Sequence, residues 1–158
     1  MALAAEQAQA TVRLHHTYTA SVEQVFAAWS NPEALGQWFG PHSHQCKVEK
    51  FEFKPGGQYQ LRMIPIAEDN DCEGDPTQDS VCAGQFVEII ENKAIIMSFD
   101  WIENGAPLSD SLLTIEFEPA REGTRLTLVH ERLPDEQIRN AHEGGWQGTL
   151  ECLDTFLS

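Results

Sequence analysis

Long apolar runs are missing from this 158-residue chain. The longest lies around Ala94–Met97, far short of the roughly 20 residues that a membrane-spanning helix needs. Basic residues are scarce: ten Lys and Arg stand against 25 Asp and Glu, a formal net charge of −15. Nucleic-acid binders use clustered cations to displace counterions, and anionic membrane surfaces repel an acidic protein, so neither is expected as a partner. The acidic surface is read as a solubility device. Met1–Ala10 has no Lys or Arg and no long apolar stretch, so it is read as a frayed tail before a domain at 11–158, not as a signal peptide. The expected location is the cytoplasm. Cysteine is sparse too: Cys46, Cys72, Cys82 and Cys152 form no CxxC pair and no regular framework. In a reducing compartment they stay thiols; a bridge between Cys72 and Cys82, which flank a loop, is left open. Also missing are a nucleophile elbow, a phosphate loop and a paired-carboxylate site.

What the chain does have is periodicity. Val12, Leu14, His16 and Tyr18 alternate with Arg13, His15 and Thr17, a half-buried strand. Ser21-Val-Glu-Gln24 is a capping-box start for a short helix carrying Val22, Val25, Phe26 and Trp29 inward. Asn31-Pro32 stops that helix and begins another, with Leu35, Trp38 and Phe39 before Gly40-Pro41. Cys46 and Val48 share one parity, Phe51 and Phe53 the other, so a bulge is expected near Glu49-Lys50. Tyr59, Leu61 and Met63 alternate after the turn Lys54–Gly57, and further strands follow over Val81–Ile90, Ala94–Trp101, Ser111–Phe117 and Thr124–Glu131. Glu68–Ser80 reads as an exposed acidic loop. From an Asp135 N-cap, a helical period runs to Leu157, placing Ile138, Ala141, His142, Gly145, Trp146, Thr149, Cys152, Leu153 and Phe156 on one side. About seven antiparallel strands and one long amphipathic helix predict a layered α+β domain, a curved sheet gripping the last helix.

The motifs resemble a known family. Val25-Phe26-Ala27-Ala28-Trp29 with Asn31-Pro32 and Trp38-Phe39-Gly40-Pro41, then Lys54-Pro55-Gly56-Gly57, then Gly123–Leu128, then His130-Glu131 through Pro134-Asp135 to His142–Trp146, are similar to the activator-of-Hsp90-ATPase-like family. That family belongs to the START-like, birch-pollen-allergen-like (SRPBCC) superfamily. The resemblance runs from roughly Thr11 to Phe156 and implies the helix-grip fold. It also implies a cavity between sheet and long helix, as in the superfamily's lipid carriers, hormone receptors and cyclases, or a co-chaperone's interaction surface.

Beneath the last helix, His142, Trp146 and Thr149 follow at i, i+4 and i+7, and His130 shares the inward parity of Leu126 and Leu128. These are expected either as polar anchors for a ligand in an apolar pocket or as groups that hydrogen-bond to backbone and pack the core. Phe99 and Trp101, with the parity of Ile95 and Met97, are the expected apolar wall, within an aromatic set that includes Trp29, Trp38, Phe39, Phe51, Phe53, Phe86 and Phe117. Tyr59 with either histidine is the arrangement a cyclase-like enzyme would use, the third reading after ligand binding and chaperone contact. Gly144 and Gly145 suggest that the helix approaches the sheet closely. His42, His44 and Cys46 alternate but lack a fourth zinc ligand, and Asp69–Glu73 copies half a calcium loop whose last position is Ser80. No metal and no cofactor is expected. The partner expected is a small hydrophobic molecule or a chaperone, with the chain a monomer or homodimer.

Overall fold

The computed structural model describes residues 10–40, 44–65, 79–103, 108 and 110–158. In chain order these hold β1 (Ala10–Tyr18), α1 (Val22–Ser30), α2 (Pro32–Trp38), β2 (His44–Phe51), β3 (Gln58–Pro65) and β4 (Ser80–Ile90). Then come β5 (Ala94–Ser98), β6 (Asp100–Glu103), β7 (Leu112–Ala120), β8 (Gly123–Leu133) and α3 (Glu136–Leu157). Most of the acidic segment 68–80, with Cys72, lies outside the described residues, as do His42 and nearly all of the N-terminal stretch.

Helix starts follow from local chemistry. Ser21 Oγ accepts from Gln24 N at 3.2 Å while Gln24 Oε1 accepts from Ser21 N at 3.0 Å, the reciprocal capping box. Asn31 Oδ1 accepts from Glu33 N at 2.9 Å, and Pro32 takes the first helical position of α2. Asp135 Oδ1 accepts from Ile138 N at 2.9 Å and opens α3.

The strands pair antiparallel in the order β1-β8-β7-β5-β4-β3-β2, with β6 beside β4. The sheet curls into a half-barrel, two short helices follow the first strand, and the long helix comes last, an α+β helix-grip arrangement. The expected bulge is present: the β2–β3 register shifts between Val48 and Lys50. The strand expected over Ala94–Trp101 is two strands. β5 pairs with the C-terminal half of β4, Ala94 opposite Ile90, and β6 with the N-terminal half, Trp101 opposite Cys82. At the break the Ser98 carbonyl accepts from the Tyr59 hydroxyl at 2.6 Å. Gly84 permits this approach, because a Cβ there would run into the Ser98 carbonyl.

One core fills the space between sheet and helices, with Tyr18, Ile95, Leu113, Ile115, Leu126 and Leu128 fully buried in it. The inward face of α3 differs in part from the helical-wheel expectation. Trp146, Thr149, Leu150 and Leu153 are buried, whereas Ala141 and Phe156 are exposed. The helix packs mainly on edge strand β1, where Tyr18 donates its hydroxyl to Leu150 O at 2.9 Å, and that contact rotates the buried stripe toward Leu150. The close approach expected at Gly145 is not made: a Cβ there would meet no described atom within 4 Å.

Candidate functional site

The sequence candidates divide between two neighbouring regions. The first joins β8, β6 and α3. His130 is fully buried on β8, where its parity with Leu126 and Leu128 put it. Trp146 donates its indole N–H to His130 Nδ1 at 3.1 Å. Nδ1 is therefore the acceptor and Nε2 carries the proton, which goes to Ser111 Oγ at 3.0 Å. The Ser111 hydroxyl in turn donates to Phe99 O. Burial, with the neighbouring His142 imidazole second, pushes the His130 pKa down to about 3, so the ring is neutral at physiological pH.

His142 repeats the pattern one turn earlier on α3. Trp101 donates its indole N–H to His142 Nε2 at 3.0 Å, and His142 Nδ1–H donates to Ile138 O at 2.8 Å. The two imidazoles stand 5.3 Å apart edge to face, with Phe99 5.0 Å from His130 and 5.6 Å from Trp146. All four imidazole nitrogens thus have protein partners. Thr149 is buried on the same helix face, but its hydroxyl turns back to Gly145 O at 2.8 Å. His130, His142, Trp146, Phe99 and Trp101 come together as expected. Ser111, which completes the chain of bonds, was passed over although it shares the inward parity of Leu113 and Ile115.

The second region is an aromatic-walled cavity on the other side of Phe99. The helical side supplies Trp29 from α1, Leu35 from α2 and Phe39 just after it. The sheet supplies Phe51, Tyr59, Leu61 and Phe86 from β2 to β4, then Ile95, Met97 and Phe99. The rings interlock: Phe51 lies 5.5 Å and Tyr59 5.4 Å from Phe86, and Trp29 stands edge-on to Trp38 at 4.8 Å. Phe39 lies 5.8 Å from Trp146, so Phe39 and Phe99 are the partition between cavity and histidines. About 10 Å³ is open to the centre of a water-sized sphere, the space of one water. Tyr59 lines this cavity rather than the histidine cluster; with its proton on Ser98 O, burial raises its pKa well above the usual tyrosine value.

A sequence profile of the family described as activator of Hsp90 ATPase homolog 1-like protein matches residues 19–158. The chain belongs to that family. Solved structures carry the same architecture. A protein from Chromobacterium violaceum is similar with a TM-score of 0.76 at 28% identity, over 92% of this chain and 96% of that one. A protein from Rhizobium leguminosarum gives 0.73 at 26% identity over 94% of each chain. The AHSA1 protein from Silicibacter pomeroyi gives 0.78 over 94% and 97%, and at 24% identity that likeness is one of fold. No curated protein matches the chain.

The remaining candidates of this AHSA1-like chain are dispersed. His44 and Cys46 sit on β2, where burial lowers the His44 pKa and pushes the Cys46 thiol up to about 12. Such a thiol is protonated at neutral pH. Among the described residues no three His, Cys, Asp or Glu side chains are placed to hold a metal ion. Cys82 is a buried free thiol on β4. No helix among the described residues is long and apolar enough to cross a membrane.

Proposed function

We propose that this domain binds a small, largely apolar molecule in the aromatic-walled space between the sheet and the helices. The observation that carries the reading is the cavity itself, whose ten lining side chains converge from helices and sheet without a charged group among them. One water's worth of space means that the walls part on binding. Met97, unbranched and polarizable, is the most adaptable of them. The His130–Trp146 and His142–Trp101 pairs stand behind Phe99 and Phe39 as a stiff backing to this site, not as free polar anchors within it. With every imidazole nitrogen bonded to protein, neither histidine is set to exchange a proton with a guest. Buried thiols at Cys46 and Cys82 fit a reducing compartment, which we take to be the cytoplasm.

The family description suggests a second reading, contact with a chaperone. Of the four large apolar side chains exposed among the described residues, Val87, Ile90, Ile102 and Phe156, the two most exposed lie apart. Ile102 is 54% exposed beside the N-terminal half of β4, and Val87 is 55% exposed toward its other end. About five residues of strand, roughly 15 Å, separate Val87 from the register of Ile102, so the two do not share a patch. Native mass spectrometry of freshly purified protein tests the reading. A co-purified small molecule, lost on mild organic extraction and accompanied by a fall in melting temperature, is the expected result. Full-length protein with an unchanged mass and melting temperature after extraction would count against it.

A further inference from the structure

No polar atom contributes to the surface of the aromatic-walled cavity. Two of its walls carry an N–H or O–H, Trp29 and Tyr59, yet neither turns it into the space, and the Tyr59 proton goes to Ser98 O at 2.6 Å. A buried water makes about three hydrogen bonds, and these walls offer it none, so the cavity is dry. A nitrogen or oxygen atom of an entering guest would lose its hydrogen bonds to water and gain no replacement. The walls also differ in exposure. Nine of the ten are buried, and the tenth, Phe51, is half-buried at the end of β2. Its ring stacks at 5.8 Å on that of Phe53, which is half-buried too. Phe51 is therefore where the cavity comes nearest to solvent.

Resting on the ligand reading above, we propose that the guest enters past Phe51 with a bare hydrocarbon end leading. The part inside the cavity is carbon and hydrogen alone, and any polar atom stays on the Phe51 side, within reach of water. The space of one water admits a methyl group before anything wider, and the walls part for the carbons behind it. Each carbon that follows adds apolar burial and asks for no partner. A guest that is polar at every end has no end to lead with.

Octan-1-ol and octane-1,8-diol, which share a chain and differ at one end, CH3 against CH2OH, test this. Binding of both to full-length protein carrying ¹³C-methyl methionine is followed by NMR. Met97 is a cavity wall and Met63 a buried residue outside the lining, so their methyl resonances separate binding in the cavity from binding elsewhere. Octan-1-ol should shift the Met97 methyl, leave Met63 near its place, and bind at least about tenfold more tightly than the diol. In Phe51→Ala the exchange of octan-1-ol should quicken severalfold with Met97 still reporting it. Equal affinities for the two alcohols, or exchange that Phe51→Ala leaves unchanged, would overturn this proposal and leave the ligand reading standing. Failure of octan-1-ol to shift Met97 in the unmodified protein would overturn both. If Phe51→Ala does not fold, the two alcohols on the unmodified protein decide alone: a diol that shifts Met97 at the same concentration as octan-1-ol would sink the proposal.

Discussion

Two regions meet at Phe99 and are built on opposite terms. On one side, His130, His142, Trp101, Trp146 and Ser111 bury many polar atoms and pair their ring nitrogens and hydroxyl with one another or with backbone. On the other, ten side chains surround an apolar space and one of them, Trp29, keeps an unpaired donor. Satisfied polar networks rigidify a core, because every member is costly to move. Apolar contacts are non-directional and can slide past one another at lower cost. The contrast separates a part that can give, the aromatic one, from a histidine–tryptophan backing that does not, and under the proposed ligand reading a guest would enter the former.

The largest expected effect comes from breaking that backing. His130→Leu removes the acceptor of the Trp146 N–H and the donor to Ser111, and should cost about 2–4 kcal/mol in urea unfolding at neutral pH. It should also change the acid limb of stability. The unfolded chain protonates this histidine near 6.5, the folded protein only at about 3. Between those values the unfolded state holds more protons, so stability is complete above pH 6.5 and falls as pH drops toward 3. The slope is up to about 1.4 kcal/mol per pH unit. His130→Leu should flatten that limb relative to the unmodified protein. An unchanged acid limb would mean that His130 is not held neutral by its surroundings.

A matched pair sharpens the comparison at a smaller scale. Trp146→Phe and Trp29→Phe remove the same atoms from the same core, so their cavity costs are similar. Trp146→Phe additionally leaves His130 Nδ1 without its donor, whereas Trp29→Phe deletes a donor that had no partner. Trp146→Phe should therefore be the less stable of the two by about 1–2 kcal/mol in thermal unfolding. Equal losses would erase the distinction between the two regions.

How much of this was legible in the sequence depends on how local each feature is. Ser21 with Gln24, Asn31 with Pro32, and Asp135 act within four residues, and all three caps stand where the sequence puts them. The inward parity of His130 needed only Leu126 and Leu128 beside it. The break at Phe99 was not legible, because it arises where the chain changes partners along β4, and Gly84 and Tyr59 that accommodate it lie far away in sequence. The wheel of α3 showed Trp146, Thr149 and Leu153 correctly but could not show that β1 and Tyr18 draw Leu150 inward. For the site, residue types and faces were readable. The pairings were not: Trp101 meets His142 across 41 residues, and the unpaired state of Trp29 is a property of everything around it.

The smallest expected effect concerns the helix that borders the stiff region. Gly144 and Gly145 sit inside α3, where glycine is disfavoured relative to alanine by about 1 kcal/mol in an open helix. A glycine kept for close packing would resist a methyl, and Gly145 beside Trp146 looked like such a position from sequence. In the structure a Cβ at either glycine meets no described atom within 4 Å, and neither has a positive φ. Both Gly144→Ala and Gly145→Ala should therefore raise the melting temperature by about 2–4 °C. Gly144 is exposed and Gly145 half-buried, so the pair contains its own control. If Gly144→Ala stabilises while Gly145→Ala destabilises, the inner flank of α3 is occupied in solution. The histidine–tryptophan backing would then have a second neighbour there, and the division between a closed region and a yielding one would have to be redrawn along the helix.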